Sequence, residues 1–237
     1  MSGNLYYLLT VLPVLPNSPG ESLPAEDAFA RLRDEDDAGL RYLADLLDAE
    51  SEIARCGQQF FVEGRRDFQP VLSEQLPEEF VGVFLSYAVQ AEADWHTSVY
   101  AAWFELLMKT GVSLRSGLLG QWSRWEYSLR TLLRLDRLKA AGKASADLES
   151  LIPSFMKESV DEEVSALAEA YKTFSEPLKA EKFLDQARID YLRRAATHYS
   201  FSLDELIAYL LELRIHNRYA RLNPDKGRKI LEEVTTL

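Results

Sequence analysis

A chain of 237 residues that is 47% hydrophobic and 11% aromatic carries enough apolar material to bury on the order of 70% of its unfolded surface, so it is not a disordered polypeptide. A formal charge of −11 and a pI of about 4.9 repel phosphate backbones and anionic headgroups alike, which argues against nucleic acid and against direct membrane binding. The single cysteine, Cys56, excludes an internal disulfide and cannot by itself build a cysteine-based zinc site, so it reads as a small apolar filler.

The opening run Leu5 to Leu12 is too short for periodicity to separate a strand from a few helical turns. Pro13 interrupts the apolar stretch that continues to Leu15, and no basic segment precedes it, so it is not a secretory signal. Residues Pro13 to Pro24 read as a loop rich in Pro, Ser, Gly and Asn. Ala25 to Arg33 and Asp37 to Ile53 are predicted helices, and the acidic run Asp34-Glu-Asp-Asp37 reads as a solvated turn at the start of the second. Phe60-Phe61 and Gly64 to Pro70 look irregular.

From Pro77 the helical pattern strengthens, with Phe80, Val83, Phe84 and Tyr87 on one face. Trp95, Tyr100, Trp103, Phe104 and Leu107 extend the apolar surface, and Gly111 is expected to break the helix. Leu114 to Ala141 carries Leu118, Trp122, Trp125, Leu129, Leu132 and Leu133, and Gly142 ends it. Asp147 to Met156, Ser159 to Phe174 and Leu178 to His198 complete the central series, with Ser159 and Glu162 spaced as a capping box. Ser202 and Glu205 form a second such pair before the stripe Leu203, Leu206, Ile207, Leu210, Leu211 and Ile215. Asn223-Pro224 then stops and restarts the chain. No apolar run reaches the roughly 18 residues of a membrane span, which points to a cytoplasmic protein.

Helices dominate and strand signals are almost absent. The expected fold class is all-α, a multi-helix bundle of packed helix pairs. It is read as one domain over 1–237, or as two helical lobes of about 1–142 and 143–237 divided at Gly142.

Reactive constellations are scarce. Asp34, Asp36 and Asp37 could hold magnesium against a diphosphate, but a prenyl-transferase-like site needs carboxylates spaced along helix faces, normally in pairs. Glu92 and His96 share a face four residues apart, which makes an ordinary helix-surface contact. His198 is expected near a helix end, and His216 in a charged, exposed stretch. Phosphate-loop, zinc-protease and serine-hydrolase motifs are missing. The rings of Trp95, Tyr100, Trp103, Trp122, Trp125 and Tyr127 read as core, with a partner surface as the alternative. Arg130, Arg134, Arg137, Lys139 and Lys143 form a basic stripe. It is either a solvated face with internal partners or a docking stripe for an acidic one.

Two segments carry a resemblance. Tyr6-Tyr-Leu-Leu-Thr-Val-Leu-Pro13 resembles the opening of an uncharacterised bacterial family encoded beside V-type ATPase genes. Phe201-Ser-Leu-Asp-Glu-Leu-Ile-Ala-Tyr-Leu-Leu-Glu-Leu-Arg-Ile215 is similar to the end of that family. It also resembles the last helices of the V/A-type ATPase C-subunit, whose eukaryotic counterpart is the d-subunit. Trp125 to Arg134 resembles a polar segment of the same ATPase component, with Ser128 and Thr131 where asparagine is expected. The resemblance covers about half the chain and implies a helical, funnel-like fold and a mechanical role. Such a component sits on the membrane rotor ring, receives the central stalk, transmits torque and performs no chemistry.

The resemblance implies a non-catalytic structural or accessory subunit of a bacterial V-type ATPase, without cofactor or metal. Its partners would be the central stalk and rotor ring, with nucleic acid excluded. It would lie on the cytoplasmic side of the inner membrane, attached through protein contacts. Candidate partner-facing charges, chosen from charge spacing, are Arg130, Arg134, Arg137, Arg214 and Arg218. The alternatives are an all-α magnesium-dependent enzyme acting on a diphosphate and a generic helical adaptor.

Overall fold

The computed structural model describes residues 2–18, 26–65, 68–89, 91–142, 152–153, 156 and 161–221, which contain helices and no strand. The chain divides into two compact units. One joins Met1–Ala28 to Pro177–Leu237, and the other is Phe29–Glu176. The division does not fall at Gly142, because the helix that follows packs back onto the one Gly142 ends.

In the Phe29–Glu176 unit, α2 (Glu26–Arg33) leads through the acidic turn into α3 (Ala38–Gly57). Asp37 caps α3 by accepting hydrogen bonds from the amides of Gly39 and Leu40, which satisfies two donors that the first turn leaves open. A π-helical turn, Gln58–Val62, follows; Phe60 and Phe61 therefore lie in ordered helix where irregular chain is expected. Helix α4 (Glu78–Leu85) runs into a 3₁₀ turn, Ser86–Ala88. Its inner face is the predicted one, with Phe80, Phe84 and Tyr87 buried and Val83 at the margin.

Two long helices, α5 (Glu92–Leu114) and α6 (Gly117–Ala140), form the central hairpin. Gly111 does not break α5, which runs one further turn. A Cβ at Gly111 would stand 3.0 Å from the Gly120 amide nitrogen and 3.2 Å from the Ser116 carbonyl oxygen. This glycine is a contact surface between two backbones. The reversal itself uses Arg115 in the left-handed region (φ 57°), with the Ser116 amide donating to Gly111 O at 2.8 Å. Trp95 and Trp103 are fully buried, and their indole N–H groups donate to Phe84 O and Leu46 O, both at 2.8 Å. Trp122 and Trp125 are buried from α6, Leu132 lies at its edge, and Gly142 (φ 75°) closes the element as expected. Helix α7 (Glu162–Tyr171) packs on α6 and is capped by Asp161 through the Glu163 amide. Ser159 and most of the predicted helix Asp147–Met156 lie outside the described residues.

The second unit contains α1 (Ser2–Val11), α8 (Pro177–Ala195) and α9 (Leu203–Arg221). The opening run is a helix: Leu5, Leu8 and Leu12 recur at three- and four-residue steps and are buried together. In α9, Leu206, Ile207, Leu210, Leu211 and Leu213 are buried, close to the predicted stripe. Between α8 and α9, Tyr199 (φ 59°) and Phe201 (φ 48°) both take left-handed backbone, a cost of roughly 1 kcal/mol each for residues with a Cβ. The Glu205 carboxylate offsets it by accepting from both their amides at 2.7 Å, while the Ser202 hydroxyl accepts from the Glu205 amide at 3.2 Å. The capping pair is thus real, with the carboxylate reaching further back than the simple box. The restart at Asn223-Pro224 lies outside the described residues.

Candidate interaction site

The segment leaving α1 is held by the two C-terminal helices. Tyr6 packs its ring on Phe201 at 4.5 Å between centroids. The Tyr209 hydroxyl donates to Pro13 O at 2.8 Å, and Arg193 on α8 donates to Pro16 O at 2.7 Å. The same guanidinium grips Glu212 on α9 through both carboxylate oxygens. Glu212 is only 5% exposed. Burial alone would raise its pKa, but His216 and Arg193 beside it hold it below the ordinary 4.5.

His216 is fully buried, in contrast to the exposed position expected for it, and its Nε2 stands 3.6 Å from Glu212 Oε1. The surrounding charges suggest exposure, but Glu212, four residues earlier, turns inward on the same helix face and takes His216 with it.

One to two turns along the same helix pair, Asp185 (1% exposed) accepts from Arg188 at 2.8 Å and also from Arg218 and Tyr219. Burial first, and then the Asp185 carboxylate, push the Tyr219 hydroxyl up to about 12, so it remains a donor at neutral pH. Spacing alone does not single out Arg193; the i,i+3 step from Asp185 to Arg188 and the i,i+4 step from Glu212 to His216 are the local signals for the other two.

The five candidate arginines separate by environment. Arg130 is committed internally: it pairs with the fully buried Glu126 at 2.6 Å and with Glu50, and it lies over the rings of Tyr100 (4.9 Å) and Phe104 (5.4 Å). Arg218 serves Asp185 and reaches Glu181 at 3.5 Å. Arg137 is exposed and donates to the Tyr171 hydroxyl at 3.2 Å. Arg134 is half-buried, close enough to Tyr127 to act on its hydroxyl, and Arg214 is half-buried on α9. Of the five, Arg130 and Arg218 are therefore tied to internal carboxylates, and Arg137 is exposed.

Elsewhere the residues serve packing. Asp34 and Asp36 are exposed and Asp37 is the α3 cap; among the described residues no three His, Cys, Asp or Glu side chains gather as a metal would require. Cys56 is buried, and burial, with Glu52 nearby, pushes its thiol up to about 12. His96 lies in a slot over Gly57, where a Cβ would meet its ring at 2.7 Å, and Glu92 is 4.0 Å away. Burial lowers the His96 pKa and Glu92 only partly counters it. His198 is exposed just beyond α8. All four tryptophans are core, as are Ser128 and Thr131. No helix among the described residues is long and apolar enough to cross a membrane.

Comparison with known proteins gives no match among curated proteins or solved structures. It does place most of the chain, including α4 to α9 and both charged ties of the C-terminal helices, within one family: a family model matches residues 65–237, and the protein belongs to the family described as protein of unknown function, DUF2764.

Proposed function

We propose that this protein is a non-catalytic structural or accessory subunit of a bacterial V-type ATPase, similar in role to the C-subunit, linking central stalk and rotor ring through protein contacts on the cytoplasmic side. The observation that carries this reading is the meeting of the two segments that bear the resemblance. Tyr6–Pro13 and Phe201–Ile215 are far apart in sequence, yet Tyr6 packs on Phe201 and Tyr209 ties Pro13 O. A resemblance split between chain ends is one structural feature when the ends are packed together.

The physical demand on such a component is stiffness under load. Here the α8–α9 pair is cross-linked by Asp185 with Arg218 and Tyr219, and by Arg193 with Glu212. Breaking one partner of a buried pair costs about 3 kcal/mol or more, so the two helices resist shearing past one another. The diphosphate alternative has no comparable support, since Asp37 is spent as a helix cap.

The test is co-purification. Affinity-tagged protein expressed at its native level should bring down the rotary ATPase in fixed stoichiometry, and purified stalk or ring components should bind it directly. Charge reversal at Arg134, Arg137 and Arg214 should weaken that binding. An ATPase that purifies without the protein, together with no binding to isolated stalk or ring, rejects the assignment in favour of a helical adaptor with other partners.

A further inference from the structure

We infer that the outward face of α4 is a docking surface for a basic amphipathic helix of a partner protein. Helix α4 turns Phe80 and Phe84 inward and leaves Glu78, Gly82 and Leu85 outward, at the four- and three-residue steps of one helix face. Leu85 is 45% exposed, and Val89, just past the 3₁₀ turn, is 87% exposed. A Cβ at Gly82 would meet nothing within 4 Å, so the strip is flat at its middle and open to close approach. A partner helix needs such a flat strip, because helix axes pack about 8–10 Å apart.

Charge selects the occupant. No lysine or arginine occurs from Phe68 to Met108, while Glu74, Glu78, Glu79, Glu92, Asp94 and Glu105 all do. Glu74, Glu78, Glu79 and Asp94 are exposed and take part in no ion pair among the described residues. Lys109 lies in the field of Glu79 but is paired to Glu105 at 2.8 Å. Elsewhere in this unit many carboxylates are answered: Asp45 and Asp48 by Arg33, Glu52 by Arg55, Glu126 and Glu50 by Arg130. An apolar strip bordered by unanswered carboxylates repels a second copy of itself, a phosphate backbone and an anionic lipid surface. It attracts a helix that carries lysine or arginine beside an apolar stripe. The inference stands apart from the ATPase assignment, because it rests on α4 alone.

The test uses a synthetic helical peptide of about four turns with a leucine–alanine stripe flanked by lysines, and a control with glutamates in place of the lysines. Amide chemical-shift mapping of the full chain should show saturable shifts centred on Glu78–Val89 with the lysine peptide and none with the control. Glu78→Lys with Glu79→Lys, and separately Leu85→Ser, should each weaken binding about tenfold; all three sites are exposed, so folding is preserved. Failure of the lysine peptide to give saturable shifts on α4 overturns the inference. So do shifts scattered over all acidic surfaces and indifferent to Leu85→Ser, and so does self-association of the protein that Leu85→Ser abolishes.

Discussion

His96 and Glu212 set how the protein responds to acid, and both act in the same direction. Burial lowers the His96 pKa from 6.5, so on acidification the unfolded chain takes up the proton first. Stability is then undiminished above the unfolded value, falls as pH drops below it, and the loss is complete once pH lies under the folded value. The Glu212 carboxylate, desolvated but held low by His216 and Arg193, contributes stability that is present above its unfolded value of 4.5 and disappears as pH falls through its folded value. Thermal melts from neutral pH downward should therefore show a first decline below pH 6.5, before general carboxylate titration begins. His96→Gln should flatten this first limb and leave the later one. An identical first limb in the variant would move its origin to another group. Neither shift is legible in sequence: Glu92 and His96 read as a surface pair, because Gly57, which forms the slot, comes from another helix.

At the scale of helices, most elements are legible because their apolar residues keep step with the helical turn. The α5–α6 hairpin shows where that reasoning stops. A glycine after an aromatic helix reads as a terminator, yet Gly111 lies inside α5, where the backbone of α6 comes within reach. Conformational freedom and close approach both call for glycine, and only the partner helix tells them apart. Gly111→Ala should cost about 1–3 kcal/mol, since its neighbours are backbone atoms that cannot swing aside. Gly120→Ala, across the same contact, has open space around the added Cβ and should be neutral or stabilise by up to about 1 kcal/mol. Denaturant midpoints of the two single variants check this, and equal effects would contradict the asymmetry. The first helix teaches the opposite lesson: Leu5, Leu8 and Leu12 fit a helix, but eight residues of apolar chain fit a strand as well, and the choice is made by the C-terminal helices that bury them.

Across the whole molecule, charge and long-range ties are unevenly divided. Phe29–Glu176 holds 26 acidic and 16 basic side chains, a net −10, which leaves the other unit at −1. The near-neutral unit is the one assembled from both ends of the chain, and it has few apolar aromatics to do so. Beside the packing of Leu5, Leu8 and Leu12, polar ties couple residues 177 and 196 positions apart, Arg193 to Pro16 and Tyr209 to Pro13. No local pattern announces such contacts, so spacing and punctuation offer one domain over 1–237 or a boundary at Gly142 that leaves the two ends in different lobes. Arg193 joins both partners, Pro16 O and Glu212. Arg193→Ala removes the cation from a carboxylate that is 5% exposed and frees Pro16 O at once, and should cost about 3 kcal/mol. Tyr209→Phe removes the exposed hydrogen bond to Pro13 O and should cost under about 1 kcal/mol. Tryptophan fluorescence would miss both, because Trp95, Trp103, Trp122 and Trp125 all belong to the other unit. Amide hydrogen exchange reads the right place: α1, α8 and α9 should lose protection together in Arg193→Ala and barely change in Tyr209→Phe. If α1 exchanges at its original rate after Arg193 is removed, apolar packing of Leu5, Leu8 and Leu12 suffices to hold the chain ends together, and the guanidinium is not what fastens them.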